Sequence, residues 1–166
     1  ECKDWAACGK GTIRKQRNIC TSLFLQPEEL KELNDRLQEK YKQIEAAEAR
    51  WEEIECDDAE YIIVAFGSSA RICSATVEAA RAEGIKLGLL RPITLWPFPK
   101  QPIAELAERG VKGFLSVELN AGQMVEDVRL AVEGKAPVAH YGRMGGAVYS
   151  PDEVAEALNE KIINRK

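Results

Sequence analysis

From residue 60 onward the chain alternates between two hydrophobic patterns. Continuous apolar runs occur in EYIIVAF (60–66), KLGLL (86–90), KGFLSVEL (112–119) and PVAHY (137–141). An unbroken run of this kind predicts a strand buried on both faces. Between the runs, apolar residues recur every three or four positions, the period of a helix with one buried side. Ile72, Cys73, Thr76, Val77 and Ala80 share such a side after the first run, and Gly84 marks where that helix ends. PIAELAERG (102–110) reads as a short helix with a glycine stop. AGQMVEDVRLAVEG (121–134) reads as a helix facing inward through Met124, Val125, Val128, Ala131 and Val132. Ser150-Pro151-Asp152-Glu153 combines a Ser cap, Pro at the first helical position and Glu at the third. The helix it starts is expected to bury Val154, Ala155, Leu158 and Ile162. Repeated strand–helix alternation predicts an open, mainly parallel sheet covered on both faces, a three-layer α/β/α fold.

Upstream the pattern differs. Residues 1–22 show little apolar periodicity and contain Gly9 and Gly11, which predicts an extended arm. Pro27 suits a first helical position, and Glu28 and Glu29 favour the positive end of a helix dipole. Leu30, Leu33, Leu37, Tyr41 and Ile44 then form one apolar stripe on a helix of about 20 residues. So narrow a stripe fits either a coiled-coil seam or a helix lying against a domain. RWEEIEC (50–56) can be read two ways. Trp51 and Ile54 continue the helical stripe, while Ile54 and Cys56 alternate with charges as on a half-buried edge strand. We read a short edge strand. The expected organisation is an arm and long helix over 1–49 and an α/β domain over 50–166.

Composition narrows the class. With 45% apolar and 30% charged residues, the 166-residue chain is typical of a soluble globular protein. No run approaches the roughly 20 apolar residues of a membrane helix. ECKDWAACGKG, at the start, lacks the apolar segment of a secretory signal, and the absence of an initial Met fits a piece of a longer protein. Cys2, Cys8, Cys20, Cys56 and Cys73 match neither zinc nor iron–sulfur spacing; their odd number favours reduced thiols in a cytoplasm. Net charge is −4, but residues 1–22 carry +3 and residues 28–60 carry −8. No aromatic interleaving or basic stripe accompanies the basic arm, so neither nucleic acid nor membrane is an expected partner.

In an open α/β sheet, ligands and partners meet the carboxyl ends of the strands. Those ends should carry GSSA, RPITLWPFP, Glu118-Leu119-Asn120 and the loop 142–146. Ser68 or Ser69 could cap the following helix or help receive an anion, although the three-glycine dinucleotide fingerprint is absent. RPITLWPFPK (91–100) opens on Arg91 and holds three prolines beside Trp96 and Phe98. Four helical faces already suffice to fill a core, so at least one of these aromatics should stay largely exposed. Glu118 could act as a working carboxylate or bind the donors of a neighbouring loop. Asn120 could cap the next helix, with Gln123 close by. Arg143, between glycines, could bind a carboxylate or phosphate, or pair with an acid across an interface. His140, the one histidine, reads as a packed residue. No triad, metal cluster, phosphate loop or acid–base pair is present.

VAFGSSA, GLLRPITLWPFP, VELNAGQMVEDVR and YGRMGG, in this order and spacing, resemble the C-terminal domain of the α subunit of 2-oxoacid:ferredoxin oxidoreductases. Asp4-Trp5-Ala6 and SLFLQPEELKELNDRLQEKY resemble the connector and long helix that join this domain to a preceding one. More distantly, the pattern is similar to the transketolase C-terminal domain, whose sheet has five strands with the first antiparallel. The resemblance implies oxidative decarboxylation of a 2-oxoacid to an acyl-coenzyme A, with 2-oxoglutarate as first expectation and branched-chain 2-oxoacids as second. It implies thiamine diphosphate, Mg²⁺, iron–sulfur clusters and coenzyme A in the whole complex, none of them held by this chain. Expected partners are the preceding thiamine-binding domain, the β subunit, further γ or δ subunits, and ferredoxin through the complex. Ser68, Ser69, Arg91, Trp96, Phe98, Glu118, Asn120, Gln123 and Arg143 are then candidates for an interface or anion site in a non-catalytic domain. A stand-alone anion-binding module, taking coenzyme A at GSSA and Arg143, is the alternative.

Overall fold

A computed structural model describes residues 22–164. The chain divides into two units between Tyr41 and Lys42. Helix α1 (Pro27–Glu48) runs through the division, and none of its side chains is fully buried. The second unit contains strands β1 (Trp51–Ile54), β2 (Tyr61–Ala65), β3 (Leu87–Pro92), β4 (Gly113–Glu118) and β5 (Val138–Gly142). They alternate with helices α2 (Gly67–Ala82), α3 (Lys100–Glu108), α4 (Met124–Val132) and α5 (Pro151–Leu158), and α5 continues into a π-helical turn, Asn159–Ile163.

The strands form one sheet in the order β1-β3-β2-β4-β5. β1 runs antiparallel to β3, while the other neighbours pair in parallel. This is the expected mainly parallel, five-stranded α/β architecture with an antiparallel edge. β3 extends to Pro92, two residues past the apolar run, because β1 pairs with its end through Glu52↔Arg91 and Trp51↔Pro92.

Successive residues of a strand face opposite sides, so the central strands feed two cores. Ile62, Val64 and Phe114 pack with Ile103 and Leu106 of α3 and Val128 of α4. Ile63, Leu115 and Val117 pack with Cys73 and Val77 of α2 and Val154 and Leu158 of α5. All six strand residues are fully buried, as a sheet covered on both faces requires. Truncating one such side chain to Ala would remove about 2–5 kcal/mol of stability. The last helix differs in detail: Ala157 is buried where Ala155 was expected, with Ala155 only half-buried.

Two helix ends follow the expected glycine stops. Gly84, at φ 83°, lets its own N–H reach the Arg81 carbonyl and the Ile85 N–H reach the Ala80 carbonyl. Gly110 does the same with Ala107 and Leu106. α5 begins with a full capping box: Ser150 accepts from the Glu153 N–H, and Glu153 accepts from the Ser150 N–H. The π-helical turn that follows lays Ile162 over Gly113 at the start of β4, where a methyl group on the glycine would come within 2.5 Å of it.

Candidate functional site

The four parallel strands end on one edge, and their loops meet there. Glu118 closes β4 and is fully buried. Its carboxylate accepts from the N–H groups of Gln123 at 3.1 Å, Met124 at 2.8 Å and Val125 at 2.9 Å, and from the Ser116 hydroxyl at 2.9 Å. Burial alone would push this carboxyl up, but the helix N–H groups and Ser116 outweigh it and hold Glu118 below the usual carboxylate range. The negative charge also faces the positive end of α4. Glu118 is therefore the anchor that pins α4 to the strand it follows, and its oxygens are taken up within the chain.

α4 starts at Met124 rather than near residue 121, and Asn120 does not cap it, contrary to the sequence expectation. The Asn120 side-chain oxygen instead accepts from the Gly122 N–H at 2.7 Å, forming a tight turn before the helix. Gln123 occupies the cap position without a side-chain bond. Glu118, at the end of β4, satisfies the donors that a cap residue would have taken. His140 lies beside this turn with Nε2 at 3.8 Å from Glu118 Oε1, and that nitrogen is buried without a hydrogen-bond partner.

The serines of GSSA also differ from expectation, since α2 begins at Gly67 with Phe66 in the cap position, two residues before Ser68. Ser68 is exposed. Ser69 is buried, and its hydroxyl accepts from Tyr149. Arg91 pairs with Glu52, its direct cross-strand neighbour, at 2.9 Å. Arg143 is held within the chain by Glu153 at 2.6 Å, the Val148 carbonyl at 3.0 Å and the Tyr141 hydroxyl at 3.5 Å. Its guanidinium holds the Glu153 carboxyl below the usual range. Arg143 thus pairs with an acid of its own chain, Glu153, which also serves in the capping box of α5.

The proline-rich loop separates its two aromatics. Trp96 is 58% exposed, whereas Phe98 is 9% exposed and packs into the α3–α4 core. The loop is shaped from within. The N–H groups of Ile93 and Thr94 donate to the Arg50 carbonyl, the Thr94 hydroxyl accepts from the Arg50 N–H and donates to the Pro97 carbonyl, and the Trp96–Pro97 bond is cis. Ile93 and Leu95 are exposed beside Trp96, as is Leu119 after β4.

Two hollows flank the loop. One, of about 540 Å³, lies between the end of α1, Trp51, the loop 95–99, the start of α3 and Asp127. The other, of about 210 Å³, is floored by Phe66, Phe98 and Met124 and bordered by Asn120 and Gln123. They share Leu95, Phe98 and Asp127. Leu95 and Asp127 escaped the sequence reading: an isolated leucine between prolines and an acid in a helical first turn give no local signal.

The described residues do not fit the metal groups that the resemblance brings with it. Among the described residues no three His, Cys, Asp or Glu side chains converge on a metal position. Cys56 and Cys73 lie on opposite faces of the sheet, and burial pushes their thiols up to about 11 and about 12. Cys2, Cys8 and Cys20 lie outside the described residues. No helix among the described residues is long and apolar enough to cross a membrane.

Residues 59–154 match the family described as pyruvate:ferredoxin oxidoreductase core domain II. The chain is 50% identical over 156 residues to ketoisovalerate oxidoreductase subunit VorB of Methanothermobacter thermautotrophicus, covering 94% of this chain and 43% of that protein. It is 36% identical over 102 residues to 2-oxoglutarate synthase subunit KorA of Methanothermobacter marburgensis, covering 61% of this chain and 27% of that one. The chain thus spans less than half the length of these curated relatives. Among solved structures, it superposes on 2-oxoglutarate:ferredoxin oxidoreductase from Magnetococcus marinus, determined with 2-oxoglutarate, coenzyme A and succinyl-CoA bound. The TM-score is 0.71 at 20% identity, over 83% of this chain and 24% of that one. It also superposes on a split-gene transketolase, an inactive β4 tetramer, at TM-score 0.58 and 17% identity, over 70% of this chain and 42% of that one.

Proposed function

Since the chain belongs to the pyruvate:ferredoxin oxidoreductase core domain II family, we propose that it is a non-catalytic interface domain of a cytoplasmic, multisubunit 2-oxoacid:ferredoxin oxidoreductase. The whole enzyme would decarboxylate a 2-oxoacid oxidatively to an acyl-coenzyme A and reduce ferredoxin. Residues 1–49 would join the domain to a preceding thiamine-binding domain. The loop-bearing edge would pack against that domain and against the β subunit. Thiamine diphosphate, Mg²⁺ and the iron–sulfur clusters would be held by those other parts. For the substrate, the high identity to a ketoisovalerate oxidoreductase subunit along nearly the whole chain favours a branched-chain 2-oxoacid over the 2-oxoglutarate first expected.

The observation that carries this reading is the contrast at the edge. Glu118, Arg91 and Arg143 are engaged within the chain, while Ile93, Leu95, Trp96 and Leu119 stand exposed beside them. An active site needs polar groups held for substrate; an interface needs apolar surface to cover. The same contrast disfavours the anion-binding module, whose arginine is already paired with Glu153. The chain alone should support no 2-oxoacid-dependent reduction of a viologen dye in the presence of thiamine diphosphate, Mg²⁺ and coenzyme A. Turnover by the isolated chain under those conditions would overturn the proposal.

A further inference from the structure

Resting on that reading of the edge, we infer that the groove between Trp51, Trp96 and α4 receives a partner segment carrying an arginine or lysine next to a large apolar side chain, with the cation bound by Asp127. Asp127 borders both hollows at the point where they join. It is half-buried, yet its carboxylate makes no hydrogen bond or ion pair with any described residue. The other charged groups lining the larger hollow are Glu45 and Lys100, and neither is ion-paired with Asp127. The groove thus holds two acids against one base, beside the apolar side chains of Trp51, Leu95 and Phe98.

A carboxylate in this position is tolerable only while water reaches it. Any surface that covers Leu95 and Trp96 also dries Asp127, and burying an unpaired carboxylate opposes docking strongly. Pairing with an incoming cation removes that opposition and selects the partner. An arginine suits the position best, because its planar fork can grip the carboxylate with two parallel hydrogen bonds. Asp127 also sits in the first turn of α4, where the helix dipole favours an acid. That local role needs only a charge on the helix and no partner.

The test uses the assembled enzyme with Leu95→p-benzoylphenylalanine as a photo-crosslinker in the groove. The expected product is a crosslink to another part of the assembly, on a peptide with Arg or Lys within a few residues of the captured site. Adding Asp127→Asn should lower its yield about tenfold, and Asp127→Glu should largely restore it. A captured peptide without a basic residue, or equal yields for all three residues at 127, would overturn the cation inference and leave the edge as an interface. Capture of nothing beyond this chain, or only of a second copy of the same loop, would overturn both readings.

Discussion

Glu118 shows how one residue can serve the site without doing chemistry in it. Its carboxylate replaces the cap that α4 lacks, and it does so from the end of the preceding strand. Glu118→Gln would put amide hydrogens against the helix N–H groups and should cost about 3 kcal/mol at neutral pH. Because the folded protein holds this carboxyl below its ordinary range, its contribution is present above the unfolded-state value and is lost as pH falls through the folded one. Urea unfolding of the two proteins should show a wide stability gap at pH 7 that narrows below about pH 4.3. A gap that persists unchanged in acid would mean that the charge is not what anchors α4. The sequence marked Glu118 as either a working acid or a loop binder. Only the fold brings its oxygens to the donors of residues 123–125. Arg143 was equally visible, but its partner Glu153 lies across a loop and no local pattern links the two.

At the scale of elements, the strands and most helices were legible because their signals are local. Unbroken apolar runs gave β2 to β5, Gly84 and Gly110 gave helix ends, and Ser150 to Glu153 gave a helix start. Where a long-range contact decided the geometry, the reading slipped. α4 begins three residues late because Glu118, at the end of the strand before it, holds its first N–H groups, and β3 runs on because an edge strand pairs with it. The π-helical turn after α5 was also not read: its extra residue per turn leaves no clear mark in a short apolar pattern. That turn fits β4 closely. Gly113→Ala should cost about 1–3 kcal/mol, since the new methyl group meets Ile162. Much of that loss should be recovered in the double variant with Ile162→Ala, which denaturant titration of the four proteins would measure. Strictly additive losses would mean that the turn yields freely.

For the whole molecule, the sequence located the busy edge and left its division of labour open. The alternation of strands and helices fixed which loops share an edge. It could not tell that Phe98 would turn into the core while Trp96, two residues away, would stay in water, because that depends on how Thr94 and Arg50 fold the loop. The two aromatics should therefore respond differently to truncation. Trp96→Ala should cost the chain far less stability than Phe98→Ala, while weakening its retention in the assembled enzyme by about 2 kcal/mol or more. Calorimetry of the chain and salt-dependent dissociation of the enzyme would read the two effects. Loss of chain stability without loss of retention would assign Trp96 to the fold instead.

The meeting of Gly113 and Ile162 reaches beyond this one chain. Two positions 49 residues apart in sequence compete for a single methyl-sized space. Neither can drift independently, so across relatives a larger residue at the start of β4 should coincide with a smaller one in the closing turn. Such a pair would be a historical record of the packing, legible in an alignment without any coordinates.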